Sequence, residues 1–248
     1  AGYAQDGALP GTASLATDMM KEGTKTRTSL QISGELADLG ASFYASSGLD
    51  NSNVVMNALK VNIDKSLDLY TDILLNPAFP EKDFKRLQTE QLLNIKQEQV
   101  EPYSMGMRVL PKLIYGSGHV YSAPLTGSGT EESVNKITTA DLKKYYDTWF
   151  APNNSVLIVV GDITMDELKN KLEPRLASWQ KKEVPNTVIN NVNPVNKPVI
   201  YLVDKPGAEQ SIIYAAHLSA TGKDPDWDKV NMMNRILGGE FTARINMN

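Results

Sequence analysis

The sequence contains no cysteine. That excludes disulfides, thiolate zinc sites, iron–sulfur clusters and a cysteine nucleophile within it. It leaves the compartment open, because a disulfide-free protein can occupy any of them. Histidine is almost as scarce: His119 and His217 are the only two, far apart, and neither has a second histidine at helical spacing. A zinc hydrolase draws on two or three His or carboxylate ligands at such spacing, so a zinc site built from this chain is disfavoured. No apolar run approaches the ~20 residues of a membrane helix, and the mean hydropathy is −0.31. There is also no block of basic residues. Lys plus Arg number 25 against 29 Asp plus Glu, a net charge of −4, which suits neither nucleic acid nor an anionic membrane as partner.

What is present is ordinary globular material, 248 residues with 41% hydrophobic and 22% charged side chains, enough for a substantial core. Leu15, Ala16, Met19 and Met20 form a helical stripe over 12–22, stopped by Gly23. Ser29 can cap a second helix carrying Leu30, Leu36 and Leu39, ended by Gly40. The segments 41–47 and 53–59 read as short strands around the turn Gly48-Leu49-Asp50-Asn51. Helices follow over 64–75, 81–99 and 102–114; the second carries Phe84, Leu87, Leu92 and Ile95, with its heavily polar other face on the surface. A Gly- and Ser-rich loop over 116–129 holds His119. Thr139 caps a helix to Trp149, and Thr164 starts another toward Trp179. Ser155 to Asp162 is apolar on both faces, so a central strand is expected there. After an Asn-, Val- and Pro-rich stretch, 199–203 and 211–217 read as strands around the Lys205-Pro206-Gly207 turn, followed by a helix over 226–237.

Several landmarks recur in a fixed order. They are Pro10-Gly11 and Glu22-Gly23-Thr24 around the first helix, Leu39-Gly40-Ala41, Asn76-Pro77-Ala78-Phe79, and His119-Val120-Tyr121 leading into Pro124-Leu125-Thr126-Gly127. The longest is Trp149-Phe150-Ala151-Pro152-Asn153-Asn154 before Val159-Val160-Gly161-Asp162, and Leu237-Gly238-Gly239-Glu240-Phe241 follows near the end. In this order the chain resembles the pitrilysin/insulinase-type zinc metalloproteases, built on an inverted His-x-x-Glu-His motif. It is similar to the non-catalytic subunits of mitochondrial processing peptidase and to bacterial zinc-protease homologues.

In active members of that family, two zinc-binding histidines and a glutamate base share one helix face, where spacings of three and four residues converge on one metal. Counting back from Gly23, the resemblance puts those positions at Ser14, Thr17 and Asp18. The third family ligand, a Glu on a later helix, falls at Asn94 when counted back from Pro102. None of the motif residues is retained, so the resemblance implies no catalytic, cofactor or metal-binding residue in this chain. Ser14, Thr17 and Asp18 can equally form a vestigial pocket or an ordinary polar face near a helix start. If the carry-over holds, Asn94 faces Ser14 and Asp18.

The resemblance implies an α+β fold: a two-layer, antiparallel or mixed sheet with helices mainly on one face. Residues 1–180 would form one repeat lacking its first strands, 181–197 a linker, and 198–248 the start of a second repeat, with the chain as part of a longer protein. The implied function is a non-catalytic module of a zinc metalloendopeptidase system. It would form chamber wall and peptide-contacting surface for an active half, fused or separate, that carries the zinc. The alternative is a scaffold or peptide-binding protein with no protease partner. Self-association and a periplasmic or cell-envelope location are further expectations.

Overall fold

The computed structural model describes residues 1–192 and 197–247; residues 193–196 of the expected linker lie outside the described residues. Ala1–Val192 together with Val203–Ile212 form one compact unit, and the remaining described residues form a second.

The first unit is organised around helix α1, Thr12–Asp18. Its start is fixed by Asp6, whose carboxylate accepts the backbone N–H of Gly11 at 2.7 Å and of Ala13 at 2.8 Å. Burial pushes the Asp6 carboxyl up to about 7, against the opposing pull of those N–H groups. A short 3₁₀ stretch, Met19–Glu22, extends the helix. Helix α2, Ser29–Leu39, is capped one residue earlier than its sequence suggests, by Thr28, and ends at Gly40 in the left-handed region. Strand β1, Ser42–Ser47, pairs antiparallel with β2, Ser52–Asn57, from Ser42 opposite Asn57 to Ser47 opposite Ser52. Phe43, Ala45, Val54 and Met56 turn one face of this hairpin toward a helical core.

Five further helices complete the scaffold: α3 (Ile63–Leu75), α4 (Glu81–Glu98), α5 (Pro102–Tyr115), α6 (Glu131–Lys136) and α7 (Thr139–Trp149). Helix α8, Met165–Leu176, begins at the Thr164 cap, and α7 is capped by Thr138 rather than Thr139. Two apolar clusters hold these elements together. In one, Ala13, Leu15, Ala16 and Met19 meet Phe84 and Ile95 of α4, Val134 of α6, and Leu142 and Tyr145 of α7. In the other, Met20, Ile32 and Leu39 pack with Leu69, Ile73 and Leu74 of α3, and the hairpin lies against them. The result is a helix-rich α+β architecture with a small antiparallel sheet.

Three expectations require correction. Ser155 to Asp162 forms no strand among the described residues, and Val160 is 93% exposed. Its apolarity on both faces records a preference for burial, but a strand also needs a pairing partner, and this segment pairs with neither edge of the β1–β2 hairpin. For the same reason neither 199–203 nor 211–217 is a strand, although the turn between them forms, with Ala208 N–H donating to Lys205 O at 3.2 Å. Finally, α4 does not expose all its polar residues. Gln88 and Gln91 are buried because their amides donate to backbone carbonyls of neighbouring segments, Gln88 to Val134 O of α6 at 2.7 Å and Gln91 to Ser128 O of the preceding loop at 2.8 Å.

In the second unit, α9 (Trp227–Asn234) runs into a π-helical turn, Arg235–Gly239. The following chain folds back, with Arg244 N–H on Ile236 O and Ile245 N–H on Leu237 O. Met232, Met233, Ile236 and Leu237 line an open apolar groove there.

Candidate functional site

Every residue of α1 is buried except Ser14 and Asp18. Four residues apart, the two share one helix face, and that face opens into a polar cavity of about 240 Å³. Thr17 and Asn94 line the same cavity, so all four positions singled out in the sequence come together in space. The remaining wall comes from β1 (Tyr44 to Ser47), from Gln91 and Glu98 on α4, and from Thr126 and Ser128.

The loop carrying Thr126 and Ser128 is fastened to both flanking helices. Ser14 Oγ donates to Gly127 O at 2.8 Å, and Arg108 on α5 donates to Gly129 O at 2.8 Å. Glycine is required at two points of this loop. Gly129 has a positive φ, and a Cβ on it would stand 2.0 Å from Pro10 O; Gly127, also at positive φ, lies against the Tyr3 ring and Ser14 Oγ. Glu98 is neutralised within the wall: Arg108 pairs with it, and Ser128 Oγ donates to it at 2.6 Å.

Asp18 differs from Glu98 in having no hydrogen bond or ion pair among the described residues. Burial pushes its carboxyl up to about 6; Lys21 pulls it down, while Glu22 and Glu90 push it further up. One unpaired carboxylate with hydroxyls and carboxamides is not a zinc donor set, which calls for imidazole, thiolate or several carboxylates. No group of three or more His, Cys, Asp or Glu side chains that could hold a metal ion occurs among the described residues. A zinc ion therefore does not fit this cavity.

Neither histidine lines it. His119 sits in a structural clasp, stacked on Tyr115 at 5.1 Å between ring centroids. Its Nδ1 accepts from Tyr121 N–H at 3.1 Å, and its Nε2 lies 2.9 Å from Asn190 O. His217 lies on the surface beside its neighbour's carbonyl, Leu218 O.

A helix presenting Ser14, Thr17 and Asp18 to Asn94 on a second helix, beside strand β1, has the placement that the resemblance implies for those four positions. The family models agree. Residues 2–116 match the insulinase model, peptidase family M16, and residues 136–248 match the model described as the peptidase M16 inactive domain. The chain belongs to this family. It is 23% identical over 95% of its length to the non-peptidase homolog YmxG of Helicobacter pylori, covering 53% of that protein. It is 25% identical over 92% of its length to a probable mitochondrial-processing peptidase subunit beta of Arabidopsis thaliana, covering 43% of it. The chain thus spans about half the length of the curated relatives it matches. The crystal structure of a peptidase M16 inactive domain from Pseudomonas fluorescens shares the fold, with a TM-score of 0.83 at 24% identity over 99% of this chain and 59% of that one.

The cavity makes a prediction about stability. The ordinary Asp value is 3.8 and the folded one about 6, so between these pH values the folded state binds more protons than the unfolded. Stability therefore falls as pH rises through that window, and the full cost persists above it. Asp18→Asn should raise the unfolding free energy at pH 7 by ~1–2 kcal/mol, after allowance for solvent screening, and leave it nearly unchanged at pH 4. Urea unfolding at the two pH values measures this; a variant less stable than the parent at pH 7 would contradict it.

Proposed function

We propose that the chain is a non-catalytic module of a zinc metallopeptidase system, supplying wall and peptide-contacting surface to an active half that carries the zinc. The observation that carries this reading is the convergence of Ser14, Thr17, Asp18 and Asn94 on one cavity with a donor set unsuited to zinc. The names of the relatives support it, since non-peptidase and inactive members stand among them. Peptide contact is supported by β1. With β2 on one side and no strand on the other among the described residues, its free edge offers backbone N–H and C=O groups to an extended chain. A periplasmic or envelope location would suit such a module.

The second reading, a peptide-binding scaffold without a protease partner, draws on the same edge and cavity and differs only in the absence of an active half. Mixing separates the two. Alone, the chain should cleave no unstructured peptide; together with a chain bearing His-x-x-Glu-His encoded beside it, chelator-sensitive cleavage should appear or rise several-fold. Cleavage by the chain alone would overturn both readings, and an active partner indifferent to it would favour the scaffold.

Self-association follows from surface chemistry. Val156, Ile158 and Val160 are exposed in the first unit, and Met232, Met233, Ile236 and Leu237 are exposed in the second. Apolar surface of this kind favours association. Light scattering should show a mass that rises with concentration and falls in moderate urea before unfolding; a monomer at every concentration would contradict this.

A further inference from the structure

Apart from the Asn94 carboxamide, which can both donate and accept, most side-chain hydrogens of the cavity wall are committed within the wall. Ser14 Oγ donates to Gly127 O. Thr17 Oγ1 donates to the carbonyls of Ala13 and Ser14, at 3.0 and 2.9 Å. Gln91 donates from Nε2 to Ser128 O, and Ser47 Oγ lies 3.1 Å from Ala13 O, to which it donates. A hydroxyl has one hydrogen and two lone pairs, and an amide oxygen only lone pairs. With the hydrogens directed to backbone carbonyls, these groups have acceptors left to offer.

The charge has the same sense. Glu98 is neutralised by Arg108, so the carboxylate left uncompensated at the cavity is Asp18. A carboxylate held half-buried without a partner costs stability, the expected mark of a group reserved for a ligand. Its complement is a group of single positive charge that is rich in N–H donors and has no acceptor. Ammonium and guanidinium meet that description; a carboxylate or phosphate does not. At about 240 Å³ the space suits the end of one side chain rather than a cofactor, whose pockets begin at roughly 300 Å³.

Residues Tyr44 to Ser47 of β1 form part of the same wall. A peptide laid along that edge would send alternate side chains to one side. We propose that the cavity is a specificity pocket for a lysine or arginine side chain of an extended peptide, with Asp18 as its counter-charge and Ser14, Thr17 and Gln91 as acceptors. The proposal rests on the reading of β1 as a peptide-contacting edge.

The test uses the full chain and labelled peptides of alternating Thr and Val with a single central Lys, Arg, Met or Glu, followed by fluorescence anisotropy. The Lys and Arg peptides should bind about 10-fold tighter than the Met peptide, and the Glu peptide weakest. Asp18→Asn should bring the Lys peptide down to the Met level without weakening the Met peptide. Equal binding of all four peptides, or a Lys preference that survives Asp18→Asn, would overturn the proposal while leaving the peptide-contacting edge intact. If no peptide binds, the edge reading fails and a second measurement decides the pocket. The Asp18 carboxylate carbon resonance should shift saturably with n-butylammonium but not with n-butanol; no shift would overturn the pocket as well.

Discussion

The site depends on how completely α1 is enclosed. Ala13, Leu15, Ala16 and Thr17 are all but inaccessible, and small residues let α4, α7 and β1 approach the helix closely. Asp6 fixes where the helix begins, and the flanking cores fix its rotation. With both determined, only the Ser14/Asp18 face can open, and whatever occupies those positions defines the cavity chemistry. The same backbone would aim metal ligands at one point; here it aims a hydroxyl and a lone carboxylate.

The second wall has the same logic. The loop containing Gly127 and Gly129 lies against the start of α1: a Cβ at Gly129 would collide with the Pro10 backbone, and at Gly127 the Tyr3 ring and Ser14 Oγ leave little room beside a positive φ. Arg108 holds it from beneath by binding Gly129 O and pairing with Glu98. Glu98 is thereby withdrawn as a free charge, which leaves Asp18 to set the electrostatic character of the cavity. The cavity is therefore a shaped and ordered polar space, with its own donor and acceptor balance, beside strand β1.

Much of this was legible in the sequence where the determinants are local. Helical stripes and caps placed α1 to α5, and the turn Gly48-Leu49-Asp50-Asn51 between two short strand-like segments placed the hairpin. The family resemblance, counted from Gly23 and Pro102, named Ser14, Thr17, Asp18 and Asn94, which line one cavity; helix geometry accounts for the first three, and the meeting with Asn94 depends on how α1 packs with α4. Helix α6, with six residues, is too short for periodicity to reveal, although Thr130 and Ser133 form its capping box. The strand expectations for 155–162, 199–203 and 211–217 failed because pairing is a property of two segments, while apolarity is a property of one. Gln91 and Glu98 escaped notice for a related reason. On a helix polar on most faces, nothing local distinguishes a buried polar residue from a solvated one until its distant partners, Ser128 and Arg108, are known.

The central claim is that this cavity is the position of the family's metal site with its ligands replaced. The most direct measurement is the zinc content of the variant carrying Ser14→His, Thr17→Glu, Asp18→His and Asn94→Glu, after dialysis against a mild chelator, with its fold checked by circular dichroism. Helix geometry brings the first three together, and the shared cavity brings the fourth. The account predicts close to one zinc per chain in the folded variant and none in the parent. A folded variant that retains no zinc would contradict it.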